Sequence, residues 1–199
     1  MKKILDQNPN TIEHWQEIYQ NNEYDLGIDQ LKHYLIASQL IDGSLVVDYG
    51  CGPSELISTI YLMKPHCKVI GVDHVIDKPL THKGLKYIKG DVYTPVTNEA
   101  DYVLSTEVLE HLDYPQKHID CLFDSLKNEG IVMLTTPLLS MIPSGEHVWE
   151  FDFNDIRTMF SKFSKIYILP YASNRITNFS DGRVSPPGNI DTIFVKAMK

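Results

Sequence analysis

An apolar strand, Leu45-Val46-Val47, runs into Asp48-Tyr49-Gly50-Cys51-Gly52, and a second apolar strand, Val69-Ile70-Gly71-Val72, ends on Asp73. Glycines at 50 and 52 let the backbone turn sharply and approach a ligand that a Cβ would exclude. An acid about 20 residues further on, at the tip of the next strand, can accept both hydroxyls of a ribose. The pairing points to an open α/β sheet that holds an adenosine-containing ligand at the carboxyl ends of its strands. A dinucleotide turn would read G-x-G-x-x-G and leave a helix N-terminus for a pyrophosphate. Here Glu55 stands in place of the third glycine, and Asp48 sits two residues before the first. Two carboxylates at the turn repel a diphosphate and suit a ligand with an ammonium group and a sulfonium.

S-adenosylmethionine is such a ligand and is the one expected here, and three later landmarks follow in order. Ile88-Lys89-Gly90-Asp91 reads as a third strand end, and Asp101-Tyr102-Val103-Leu104-Ser105-Thr106-Glu107 as a fourth strand with its exit. Leu126-Lys127-Asn128-Glu129-Gly130-Ile131-Val132-Met133-Leu134 reads as a helix end, a glycine turn and a fifth strand. On these residues the chain resembles the class I S-adenosylmethionine-dependent methyltransferases, from about Leu45 to the C-terminus. The resemblance implies an α/β fold with a doubly wound, seven-stranded, mainly parallel sheet whose last strand is antiparallel. It also implies roles. Asp48 and the turn Gly50, Cys51 and Gly52 face the methionine part, and Asp73, with His74 beside it, holds the ribose. Asp91 and Val92 border the adenine, and Ser105 and Thr106 offer backbone carbonyls to the ammonium.

The order of elements agrees. At 199 residues the chain is most economically one domain, with helices in 1–43 that can cover cofactor or substrate, and a core from 44 to 199. Asn10-Thr11-Ile12-Glu13 resembles a capping box ahead of Ile12, Trp15 and Tyr19 at helical spacing. A second helix is expected from Ile28 to Ile41, stopped by Gly43, and a third from Pro53 to Met63, stopped by Pro65. Strands are expected at Leu45–Tyr49, Lys68–Asp73, Leu85–Ile88, Lys165–Leu169 and Thr192–Lys196, besides the fourth and the fifth, which ends at Pro137. Asp113 and Pro115 start a helix with Ile119, Leu122, Phe123 and Leu126 on one face, and Asn154 caps another with Ile156, Met159, Phe160 and Phe163 inward. Alternating strands and helices imply right-handed crossovers and a mainly parallel sheet. The stretch Ser180 to Gly188 reads as a loop between the last two strands.

Composition narrows the function. No apolar run reaches the roughly 20 residues that span a bilayer, and the strongest, Ile131 to Ile142, is broken by Thr135, Thr136 and Pro137. The first residues lack the apolar stretch of a signal peptide, and Cys51, Cys67 and Cys121 are too scattered for a disulfide framework or a zinc site. A cytoplasmic protein, not a membrane-bound one, is expected. The formal net charge is −8, and the densest basic stretch, Lys78, His82, Lys83, Lys86 and Lys89, is interrupted by apolar residues. Nucleic-acid binding usually leaves a basic footprint, so the balance favours small-molecule acceptors.

The mechanism turns on Glu107-Val108-Leu109-Glu110-His111. On a helix, Glu107, Glu110 and His111 share one face, and two carboxylates with an imidazole can ligate a divalent ion such as Mg²⁺. The pattern is similar to that of ubiquinone-pathway O-methyltransferases and of small-RNA 3′-terminal 2′-O-methyltransferases, where such residues bind a metal. A metal there would lower the pKa of an acceptor hydroxyl. His147 can add a further ligand, and without a metal His111 or His147 can act as the general base. Trp15, Tyr19 and Tyr24 read as a lid over the cofactor, with helix packing an equal alternative for the first two, and Trp149 and Phe151 as either an acceptor wall or a core anchor. Ser105-Thr106-Glu107-Val108 stands where Asn-Pro-Pro-Tyr or Asp-Pro-Pro-Tyr would mark amino methylation of adenine or glutamine, and no Pro-Cys nucleophile for cytosine C5 exists. The expectation is methyl transfer to a hydroxyl or other heteroatom of a small or medium-sized molecule. Two alternatives stay open: a metal-dependent methyltransferase of RNA 3′ ends, and a noncatalytic partner subunit. The little covering material suggests an open site or one that a second copy completes in a homodimer.

Overall fold

Parallel strands need crossover connections, usually helices, and helical residues stand at 60–63 and 115–125, whereas 90–99 cross without one. The computed structural model describes residues 1–21, 35–42, 44–52, 60–75, 81–82, 84–138, 145–171 and 191–199. Its strands are β1 (Lys2–Lys3), β2 (Leu45–Tyr49), β3 (Lys68–Asp73), β4 (Thr81–His82), β5 (Leu85–Lys89), β6 (Ala100–Thr106), β7 (Leu126–Pro137), β8 (Trp149–Glu150), β9 (Lys165–Tyr171) and β10 (Thr192–Met198). Its complete helices are α1 (Ile12–Gln20), α2 (Pro115–Ser125) and α3 (Phe153–Met159), with a 3-10 turn at Leu109–His111. Residues 35–40 and 60–63 are also helical, the last turns of two expected helices. Their first parts (28–34 and 53–59), Tyr24, Gly43, Pro79 and the loop 180–188 lie outside the described residues.

The main sheet runs β4-β5-β3-β2-β6-β7-β10-β9. Neighbours from β5 to β7 are parallel, and β10 is antiparallel to both β7 and β9. This is the expected seven-stranded sheet with its last strand reversed, extended at one edge by the two-residue β4. Both faces are covered. Val47 and Tyr49 pack with Ile119, Leu122, Ile156 and Phe160 on one side, while Val46 packs with Ala37, Ile41 and Ile60 on the other. Burial on two faces is why these strands read as nearly continuous apolar runs.

Several boundaries differ from the expected ones. The cap of α3 is Asp152, not Asn154: its extended backbone lets its carboxylate accept from Asp155 N–H, while Asp155 accepts from Asp152 N–H. Pro115 opens α2 without a side-chain cap, so Asp113 does not start it. β7 begins at Leu126, opposite Ala100, and a register shift follows before Tyr102 meets Ile131. In that bulge the left-handed residue is Glu129 (φ 63°), not Gly130. Gly130 answers a close approach instead, since a Cβ there would lie 2.9 Å from the carbonyl oxygens of Ala100 and Lys127.

The N-terminus folds back in a way the sequence did not announce. β1 pairs with β8, placing Lys2 opposite Glu150 and Lys3 opposite Trp149. Ile4 N–H donates to the Val148 carbonyl at 2.8 Å. Thr11 caps α1 by accepting from His14 N–H, which leaves Asn10 for other work.

Candidate active site

Four parallel strands end on one edge of the sheet, and each supplies a corner of a cavity of about 730 Å³. After β2, Gly50 and Gly52 turn with φ of 73° and 57°. The N–H groups of Gly50 and Cys51 both donate to the Val72 carbonyl, at 2.8 and 3.2 Å. A Cβ on Gly50 would stand 2.5 Å from Val108 Cγ2, so glycine is needed for space as well as conformation. At the end of β3 the Asp73 carboxylate accepts from Gly52 N–H at 2.9 Å and Val75 N–H at 3.0 Å, tying the two strand ends together. After β5, Asp91 accepts from Tyr93 N–H and the Thr94 hydroxyl. β6 delivers Thr106 and then Glu107, held at φ 55° with its N–H donating to Thr135.

Of the residues expected to hold the cofactor, Gly50, Gly52, Asp73, His74, Asp91, Val92 and Thr106 line this cavity. Asp48, Cys51 and Ser105 are buried behind its wall. Cys51 packs with Ala37 and Ile41, and burial, reinforced by Asp48 and Asp73, pushes its thiol well up, so it stays protonated.

The far half of the cavity is built by α1 and the turn after β6. Ile12, Trp15, Ile18 and Tyr19 present an apolar and aromatic wall, facing Val108 and Leu112. Trp149 and Phe151 belong to the core instead, and Trp149 Nε1 donates to the Leu112 carbonyl. Glu107 is not on one helical face with Glu110 and His111, because only 109–111 turn and Glu107 is left-handed. The groups that converge are Glu110, His111 and His147, whose ligand-type atoms lie within 4.8 Å of one another, while Glu107 lines the same cavity.

Hydrogen bonds orient two of the three. His111 Nδ1 is 3.1 Å from the Glu146 carbonyl, which can only accept, so Nδ1 carries a hydrogen and, in the neutral ring, Nε2 the lone pair. Nε2 lies 3.6 Å from Glu110 Oε1, and Glu110 Oε2 accepts from the Thr136 hydroxyl at 2.9 Å. The His147 ring meets His111 edge-on at 5.1 Å. Asn8 donates to the His111 carbonyl at 2.9 Å and Asn10 to the Glu146 carbonyl at 2.7 Å, so the N-terminal segment clasps both. His14 adds a contact to the Glu146 carboxylate at 2.9 Å. No periodic pattern in the sequence marks that clasp.

Six carboxylates line the cavity, those of Asp73, Asp91, Glu107, Glu110, Asp113 and Glu146, and no Lys or Arg does among the described residues.

A family model described as a methyltransferase domain matches residues 19–167. The chain is 25% identical over 140 residues to the mitochondrial ubiquinone biosynthesis O-methyltransferase of Mus musculus, covering 55% of this chain and 37% of that protein. It therefore spans well under half the length of this relative. Among solved structures, a chain of the complex between the Haloferax volcanii Trm112 methyltransferase activator and a methyltransferase superposes with a TM-score of 0.74 at 14% identity, over 96% of this chain and 97% of that one. The Burkholderia thailandensis 1,6-didemethyltoxoflavin-N1-methyltransferase, with 1,6-didemethyltoxoflavin and S-adenosylhomocysteine bound, gives 0.70 at 13% identity over 94% and 86%. At such identities the structural likeness speaks for the fold.

Proposed function

Since the chain belongs to the methyltransferase-domain family, we propose that it transfers the methyl group of S-adenosylmethionine to a hydroxyl, or another heteroatom, of a small uncharged or cationic molecule. The observation that carries this reading is the division of the cavity. Its glycine and aspartate half matches an adenosine-containing cofactor, and its Trp15, Glu110, His111 and His147 half offers a nucleophile a place and a proton acceptor. The sulfonium already activates the methyl group, so the protein has only to align the acceptor in line and receive its proton. Without a metal, His111 Nε2 takes that proton as the acceptor oxygen bonds to the methyl carbon and S-adenosylhomocysteine leaves. The Glu110 carboxylate at 3.6 Å stabilises the resulting imidazolium.

The acceptor's charge follows from the lining. Like charges about 6 Å apart repel by roughly 1–3 kcal/mol at effective dielectrics of 80 to 20. Among the described residues no Lys or Arg lines the cavity, so a phosphate beside the carboxylates of its acceptor half, Glu110 and Glu146 among them, meets that penalty without a compensating side-chain cation. This favours small neutral molecules or amines over RNA ends.

The metal implied by the Glu-x-x-Glu-His resemblance is tested by its donors. Two imidazoles and one carboxylate suit zinc, manganese or iron, whereas magnesium prefers oxygen throughout. Glu110, His111 and His147 would hold an ion of the first kind, with Thr136 and the Glu146 carbonyl orienting two of them. Bound there, such an ion would lower the pKa of an acceptor hydroxyl.

The test is methyl transfer from labelled S-adenosylmethionine to three matched acceptors, a catechol, a catecholamine and a catechol phosphate, with EDTA, Mn²⁺ or Mg²⁺. Transfer to the first two at least tenfold above the phosphate is expected. Preference for the phosphate ester would overturn the charge reading.

A further inference from the structure

We propose that His118 is a positioning residue of the cofactor half, bracing the wall expected to meet the adenine against the end of the strand expected to meet the methionine group. The proposal rests on the cofactor reading given above. His118 sits on the inward face of α2 with none of its surface exposed. Its Nδ1 lies 2.7 Å from the Val92 carbonyl and its Nε2 lies 2.8 Å from Ser105 Oγ.

The chemistry of these partners sets one direction. A carbonyl only accepts, so Nδ1 carries the hydrogen and Nε2 must accept the Ser105 hydroxyl hydrogen. The chain of bonds runs from Ser105 through the neutral ring to Val92. Val92 lines the cavity between Asp91 and Tyr93, and Ser105 directly precedes Thr106, which lines it from β6. One ring therefore couples two segments that come from different strands and lie on two sides of the same ligand space.

A second buried bond supports the same loop. Ser125 donates its hydroxyl to the Cys121 carbonyl, so the Tyr49 hydroxyl donates to Ser125 Oγ and accepts from Val96 N–H at 2.9 Å. The Tyr49 ring meets the His118 ring edge-on at 6.4 Å. An apolar residue at 118 could fill the space, but it would strand the Val92 carbonyl and the Ser105 hydroxyl in a buried place. Burial also holds the imidazole neutral, with its pKa pulled down to about 4, which keeps the single tautomer that the two bonds need.

Two substitutions separate the ends of the strut. In His118→Asn the shorter amide reaches the Val92 carbonyl and not Ser105, whereas in His118→Gln the longer amide reaches Ser105 and not Val92. Calorimetry with adenosine and with S-adenosylhomocysteine, beside the melting temperature of each protein, reads the difference. His118→Asn is expected to keep adenosine affinity within about twofold, and His118→Gln to weaken it about five- to tenfold. Equal adenosine affinity in all three proteins, or equal weakening in both variants that tracks their melting temperatures, overturns the role. Should neither variant fold, the ¹⁵N shifts of His118 in the wild-type protein take their place. A Nδ1–H tautomer whose signals move on saturation with adenosine supports the role, and signals that stay put overturn it. A wild-type protein that binds neither ligand overturns the cofactor reading itself, and this role with it.

Discussion

Gly50→Ala should destabilise the protein and weaken cofactor binding together. Gly50 has φ 73°, and a residue with a Cβ held in the left-handed region costs about 1–2 kcal/mol. The added Cβ would lie 2.5 Å from Val108 Cγ2 and 3.1 Å from Cγ1, so Val108 must move. Overpacking of this kind costs about 1–3 kcal/mol, which brings the total to roughly 2–5 kcal/mol. Val108 directly precedes the turn that carries Glu110 and His111, so its displacement reaches the acceptor half as well. Val108→Ala alone removes two methyl groups from a nearly buried position and should cost about 1–2 kcal/mol. In the double variant the steric part disappears while the conformational part remains. Its stability should therefore lie about 1–3 kcal/mol closer to wild type than the sum of the single losses. Urea denaturation of the four proteins measures the stabilities, and S-adenosylhomocysteine titration of the folded ones measures the binding. A Gly50→Ala protein within about 0.5 kcal/mol of wild type, or strict additivity in the double variant, would refute the reasoning.

Further outcomes follow from other parts of the fold. Gly130→Ala places a Cβ against two backbone carbonyls that cannot swing away, so urea denaturation should show a loss of at least about 2 kcal/mol. S-adenosylhomocysteine affinity should survive in whatever folds, because Gly130 lies at the start of β7, opposite the cavity edge. His118 has a folded-state pKa near 4 against 6.5 for a free histidine, so the unfolded chain binds a proton that the folded one refuses. Its contribution is complete above pH 6.5 and shrinks by roughly 3 kcal/mol as pH falls toward 4, a slope that His118→Gln should flatten in urea titrations at several pH values. Asp101 accepts from the N–H groups of Ser44 and Leu45 and pairs with Lys127. Burial alone would raise its pKa, yet these hydrogen bonds outweigh that and hold it below the usual range. Its contribution is therefore present above the ordinary aspartate range and lost as pH falls through the lowered value. Asp101→Asn should cost about 1–2 kcal/mol at neutral pH, measured by denaturation.

The sheet was legible because its strands are short apolar runs closed by Gly50, Asp73, Asp91 and Pro137, signals that local physics writes into the chain. The pairing of β1 with β8 was not, since two residues at each end of a 146-residue separation carry no periodicity. In the half of the cavity proposed for the cofactor, Gly50, Gly52, Asp73 and Asp91 line the wall, whereas burial sets the side chains of Asp48, Cys51 and Ser105 behind it. Helical spacing misled at Glu107, where the strand exit imposes a left-handed residue and only Glu110 and His111 enter the turn. His118 went unnoticed, although a histidine among Ile119 and Leu122 on the buried face of a helix is the kind of polar group that needs an explanation. Asn8 and Asn10 gave no such signal, because their partners are backbone carbonyls more than a hundred residues away.

The most direct test of the cofactor reading is calorimetric titration of S-adenosylhomocysteine into the wild-type protein and into Asp73→Ala. One saturable site is expected in the wild type, weakened at least about tenfold, or about 1.4 kcal/mol, in the variant. No saturable binding to the wild-type protein, or equal affinity in the two, would contradict it.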